Sequence, residues 1–224
     1  MQADLEAQAA ERTYEGWLSS LRGVFALAVE TPDPTLRAVR SRYLAQAKAL
    51  GSLTIDRLRA QLRGIAKRYD ESPESVTFAI EQVKAQVMRD IAIGLESLRK
   101  LAIEIQLTVG RRANFVTALL RARRSRVTDL HFEYTDRIGR KWTAARYIRT
   151  LVRQQAVTLS IVSALRRIAS SGADLARLEY PDPDHEGHGL VFSISGATAG
   201  YPSYRELEER GVFHPNTNVK VVLA

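Results

Sequence analysis

Over the first 110 residues, apolar positions recur at steps of three and four, the period of a helix that buries one side. Residues 1–30 carry Leu5, Trp17, Leu18, Leu21, Val24, Phe25 and Ala28 in such a stripe. Thr31-Pro32-Asp33-Pro34 ends it, because each proline pushes the preceding residue out of the helical region. The pattern resumes over 35–50 with Leu36, Val39, Tyr43, Leu44 and Ala47, and Gly51-Ser52 interrupts it. A further helix is predicted over 53–69, with Leu53, Ile55, Leu58, Leu62, Ile65 and Ala66 on one side. Ser72-Pro73 then reads as a restart, with Ser72 as N-cap and Pro73 in the first turn. A third long element is predicted over 73–109, stepping through Val76, Ile80, Val83, Val87, Ile91, Leu95, Leu98, Ala102 and Ile105. As one rod it is on the order of 50 Å long, which suits a helical hairpin or a contact with another subunit. The other reading is that Gly94 divides it into two ordinary helices.

Beyond residue 110 the periods shorten and mix. A basic helix is predicted over 113–124, then a strand over 127–134, a turn over 136–139 and a return strand over 140–142. A long helix over 143–170 turns Tyr147, Ile148, Leu151, Val152, Leu159, Val162, Leu165 and Ile168 inward. A strand over 175–180 leads through an acidic loop, Pro181-Asp182-Pro183-Asp184, into a stretch rich in His, Gly and Pro where a helix cannot run. Within it, 190–194 reads as a short strand. Ser203 caps a short helix with Glu206 in capping-box position, and Gly211 ends that helix. A last strand is predicted over 219–223. The expected fold is mainly α, with long N-terminal helices forming an extended helical region, followed by a small α+β C-terminal domain. The boundaries predicted are a helical region at 1–110, a basic connecting helix at 111–126 and the α+β domain at 127–224.

Composition narrows this only at a few points. The 224 residues are 45% hydrophobic and 26% charged, ordinary values for a folded chain. No apolar run is long enough to span a bilayer, so no membrane partner is expected, and the start does not read as a secretory signal. There is no cysteine, which excludes disulfides and thiolate metal sites and suits a reducing cytoplasm. Charge is more telling. From 111 to 167 there are 14 Lys or Arg and 3 acids, a balance of +11, against 19 and 22 in the rest of the chain. Arg111, Arg112, Arg121, Arg123, Arg124, Arg126, Arg140, Lys141, Arg146, Arg149 and Arg153 are therefore the candidate contacts for DNA or an acidic partner. Three readings stay open: phosphates of double-stranded DNA, an acidic protein face, or a solvated helix surface paired with acids of the same chain. Aromatic residues among these arginines are few, so stacking on single strands is not favoured.

Other chemistry is thinly represented. His185, His188 and His214, with Asp182 and Asp184 nearby, are weak candidates for a metal site of a hydrolase or toxin-like domain. The competing reading is that these imidazoles cap backbone groups of a glycine-rich loop. Ser193 and Ser195 lack a nucleophile-elbow pattern, and their alternation with Ile194 fits a half-buried strand. There is no phosphate-binding loop and no dinucleotide fingerprint, so no catalytic residue, metal or cofactor is assigned.

The order His185-Glu186-Gly187-His188, Val191-Phe192-Ser193-Ile194-Ser195-Gly196, Tyr201-Pro202, then a short helix ending in Gly211-Val212-Phe213-His214-Pro215-Asn216, resembles the minor capsid (head-morphogenesis) proteins of tailed bacteriophages. The resemblance reaches back to Asp136-Arg137-Ile138-Gly139-Arg140-Lys141-Trp142 and covers the C-terminal half only. Its motif residues here are Gly139, Trp142, His185, Gly187, Phe192, Ser193, Gly196, Pro202, His214, Pro215 and Asn216. Where the family continues H-P-N-C-R-H, this chain has Thr217-Asn218, without the cysteine, arginine and second histidine. The resemblance implies a non-enzymatic virion protein, assembled in the host cytoplasm into a larger particle. Its implied partners are the portal and/or major capsid protein, with contact to the packaged double-stranded DNA in some members.

Overall fold

A computed structural model describes residues 2–29, 36–109, 130, 132–135, 138–213 and 217–224. The chain is mainly α: three long helices precede a small region of antiparallel strands and helices. Helix α1 is Gln2–Val29, α2 Leu36–Arg68 and α3 Thr77–Val109, the last preceded by a single tight turn at Pro73–Val76. After them come β1 (Glu133–Thr135), β2 (Lys141–Thr143), α4 (Ala144–Ser170), β3 (Leu175–Glu179), β4 (Val191–Ser193), α5 (Tyr204–Glu209) and β5 (Lys220–Leu223). The predicted basic helix over 113–124, half of the predicted strand over 127–134, and His214, Pro215 and Asn216 lie outside the described residues.

Packing divides the chain into two compact units. One, the bundle unit, is built from Gln8–Ala60 and Ile80–Arg149. The other, the sheet unit, is built from Met1–Ala7, Gln61–Ala79 and Thr150–Ala224.

In the bundle unit the three long helices meet tightly enough to need glycine. The predicted interruption at Gly51-Ser52 does not occur, and α2 runs unbroken through it. A β-carbon on Gly51 would stand 2.8 Å from Val87 of α3 and 3.6 Å from Trp17 of α1, so this glycine marks close approach and not a break. Gly94 likewise lies inside a continuous α3, because a β-carbon there would overlap the Tyr43 hydroxyl of α2. That hydroxyl donates to the Ile91 carbonyl at 3.2 Å. Trp17 and Val87 flank Gly51, while Phe25 and Ile91 flank Tyr43, so α1 and α3 run one way and α2 the other. Leu5 and Leu53, expected inside, are 54% and 56% exposed, and Tyr14 takes an inward position instead.

In the sheet unit β3 is the centre of an antiparallel sheet ordered β4-β3-β5. Its buried residues Ala176 and Leu178 pack with Phe192 of β4, Leu207 of α5 and Ile161, Leu165 and Ile168 of α4. Tyr204 and Phe213 close this core as an aromatic cluster with Phe192, at centroid separations of 5.0 to 6.4 Å.

Candidate functional site

The residues singled out by sequence fall into two places, and in both the backbone explains why they stand there. In the bundle unit, β1 and β2 form a hairpin with Tyr134 opposite Trp142. Thr143 ends β2, and its hydroxyl accepts from the Arg146 N–H at 3.2 Å, which starts α4. That short link places Arg140 and Arg146 near the Trp142 ring, their guanidinium carbons 5.8 and 5.3 Å from its centroid. Lys141 is exposed between them. Of the other basic candidates, Arg149 lies 3.2 Å from Glu11. Arg153, in the sheet unit, lies 2.8 Å from Asp4 and 2.6 Å from the Asn218 side-chain oxygen. The hydrogen bond from Arg153 holds the Asp4 carboxyl below its usual range. Arg111, Arg112, Arg121, Arg123, Arg124 and Arg126 lie outside the described residues.

The second place is the loop system at the edge of the sheet unit. Residues 180–190 connect β3 to β4 through successive turns, closed by His185 N–H to Asp182, His188 N–H to His185 and Gly189 N–H to Leu178. The Nδ1 of His185 accepts from the Gly187 N–H at 3.0 Å, and its ring stacks on Tyr180 with centroids 3.7 Å apart. The Nδ1 of His188 lies 3.2 Å from the Tyr180 nitrogen and 3.1 Å from the Tyr180 carbonyl oxygen. Unprotonated, it accepts from the first; protonated, it donates to the second. Both imidazoles thus serve the loop's own backbone, as the second reading of their role expects. The loop runs close under these rings: a β-carbon on Gly187 would stand 3.0 Å from the Tyr180 ring. Tyr180, His185, Asp182 and Glu186 face Arg210 and Asn218 across a cleft of about 500 Å³. Among the described residues no three His, Asp or Glu side chains converge as metal ligands.

The motif serines are organised by a residue that the sequence reading passed over. Asp174, just before β3, accepts from the Ser193 hydroxyl at 2.6 Å, the Thr198 hydroxyl at 2.6 Å and the Ser195 N–H at 2.8 Å. These donors, Ser193 first, hold its carboxyl well below the usual carboxylate range. Ser193 is fully buried and its oxygen also accepts from Gly196 N–H at 2.8 Å. Gly196 takes φ of 77°, a left-handed turn that lets the chain fold back towards Ser203. There the Ser193 N–H donates to Pro202, and Ser203 and Glu206 form the expected capping box of α5. The Ser193 hydroxyl is therefore a bracket for the loop, with its proton aimed at a carboxylate and no imidazole beside it among the hydrogen bonds of the described residues. A signal existed in the sequence: an aspartate after a helix-ending glycine, ahead of a strand, is a common place to tie a loop.

A third polar cluster, also missed, is internal to the bundle unit. Asp90 of α3 is fully buried. It accepts from the Tyr14 hydroxyl at 2.6 Å and from Gln86 Nε2 at 2.9 Å, with no cation at hydrogen-bond distance among the described residues. Burial raises its pKa to about 6 against the pull of those two donors. Burial also pushes the Tyr14 and Tyr43 hydroxyls up, and the Asp90 charge adds to both shifts. Its stripe position between Val87 and Ile91 hid it among apolar neighbours.

Comparison with family models, with curated proteins and with solved structures returned no match for this chain.

Proposed function

We propose that the chain is a structural protein of a tailed-phage head, bound at or near the portal vertex and meeting the portal and/or major capsid protein. One observation carries this reading: the ordered series His-x-Gly-His, Val-Phe-Ser-Ile-Ser-Gly, Tyr-Pro, capped short helix and Gly-x-Phe-His-Pro-Asn in residues 185–216. The roles of those residues support it. Phe192 fills the core, Ser193 and Gly196 hold a turn, Pro202 accepts the bond from Ser193, and Ser203 caps α5. They build a frame, and a virion component needs a frame more than a reactive centre. The basic residues around Trp142 offer a contact for DNA or an acidic partner. A hydrolase using His185 and His188 has less support, since the Nδ1 of His185 accepts from the Gly187 N–H, which puts the ring's proton on Nε2, the nitrogen a metal would need.

The test is co-expression with the portal protein of the same genome. Copurification with the portal ring is expected, surviving a wash in moderate salt, and a His185→Ala, His188→Ala double variant should copurify as well. Recovery of the chain alone in both cases, with metal in stoichiometric amount by elemental analysis, would favour the hydrolase.

A further inference from the structure

Helix α2 carries nine Lys or Arg residues and one acid, Asp56, a balance of +8 that equals the net charge of the whole chain. Solvent-facing helices ordinarily intersperse acids at four-residue steps, because like charges so placed repel. On α2 that arrangement is missing. Arg37, Arg40 and Lys48 are exposed, and among the described residues none lies within ion-pair distance of a carboxylate. Among the described residues Arg59 has only the exposed Asp56 one turn away, a pairing worth little in water. On α4, by contrast, Arg149, Arg153 and Arg166 are each matched to a carboxylate of the chain.

The geometry is linear. Arg37, Lys48 and Arg59 follow one another at eleven-residue steps, which bring a helix back to nearly the same side. Each step rises about 16 Å, and Arg40 widens the row at its start. Arg37, Arg40 and Ser41 also rim a groove of about 480 Å³ floored by Leu44 and Leu95. We propose that this outer face of α2 in the bundle unit is a docking surface for double-stranded DNA, taking backbone phosphates without reading sequence.

The chemistry of the face selects that occupant. A row of guanidinium and ammonium groups matches a line of phosphates better than a single small anion. The one aromatic residue of α2, Tyr43, is fully buried, so there is no platform for unstacked bases. A protein interface would place aromatic or large apolar anchors among the charges, whereas Leu53 is the one large exposed apolar residue of α2 among those described. The setting, a packaged genome, rests on the head-protein reading above; the charge argument does not.

The experiment uses the full chain and a fluorescein-labelled random-sequence duplex, with anisotropy titrations at several sodium chloride concentrations. Wild type should bind with a steep salt dependence. A variant with Arg37→Gln, Arg40→Gln, Lys48→Gln and Arg59→Gln should lose at least about tenfold in affinity at low salt and flatten the log–log slope by about 3.6, at roughly 0.9 for each of four phosphate contacts. Its melting temperature by circular dichroism should match wild type. The proposal is overturned if that variant binds as wild type does, or if the loss appears instead in an Arg140→Gln, Lys141→Gln, Arg146→Gln variant. It is equally overturned if wild type fails to bind the duplex at low salt, or prefers polyglutamate to it. Duplex binding without portal copurification would keep this inference and discard the head-protein reading; the reverse result would do the opposite.

Discussion

At the residue scale, two carboxylates with opposite surroundings set how stability should vary with pH. Asp90 is buried among neutral donors, and its folded pKa of about 6 lies above the ordinary 3.8. A raised acid stabilises the fold fully below the unfolded pKa and loses that contribution as pH rises through the folded one. Between about pH 4 and pH 7 the loss is on the order of 3 kcal/mol. Asp174 and Asp4 are shifted down, Asp174 by three donors and Asp4 by Arg153, so their contributions are present above the ordinary carboxylate range and fade as pH falls below it. Stability measured by urea unfolding should therefore peak near pH 4 to 5 and decline towards neutrality. Asp90→Asn should remove most of the decline and raise stability at pH 7.5. Its carbonyl can still accept from Tyr14, and its amide can donate to the Gln86 carbonyl oxygen, unpartnered among the described residues, once that amide turns over. An unchanged pH slope in the variant would mean that Asp90 is not the titrating group.

At the scale of elements, glycine in a helix has opposite consequences according to what stands outside it. Gly64 of α2 is exposed with no atom near its missing β-carbon, so Gly64→Ala should stabilise by about 0.5–1 kcal/mol through helix propensity alone. Gly94 of α3 faces the Tyr43 hydroxyl, and Gly94→Ala should cost about 1–3 kcal/mol as Tyr43 is displaced from Ile91. Thermal unfolding followed at the helical band should rise for the first and fall for the second. Equal responses would mean that the helices do not approach as closely as Tyr43 and Gly94 require. The same contrast explains a misreading from sequence. Gly51-Ser52 looks like a break because glycine is a poor helix former, yet the packing of Val87 and Trp17 around Gly51 outweighs that local preference.

At the scale of the molecule, charge is divided between internal pairing and an open face. Arg153 joins Asp4 at the start of the chain to Asn218 near its end. Arg153→Ala should therefore destabilise by about 1–3 kcal/mol while leaving duplex affinity within about twofold, since charged hydrogen bonds of this kind hold the fold. Urea unfolding and anisotropy on the same preparation would check both halves; intact stability with lost affinity would reassign Arg153 to the binding face. Residue counting cannot make this division. The segment from 111 to 167 has the larger positive balance, but several of its described arginines meet acids that lie far away in sequence, Glu11, Asp4 and Glu71.

What the sequence determined by itself is local. Three- and four-residue apolar steps set α1, α3 and α4, a short run between glycines set β4, and Ser203 with Glu206 set α5, because each signal acts over one or two turns of chain. Which glycines break a helix and which admit a neighbour, where Asp174 and Asp90 find their donors, and which arginines are neutralised were decided by tertiary structure alone. Those outcomes depend on atoms brought together from distant positions, and a one-dimensional pattern holds no record of that proximity.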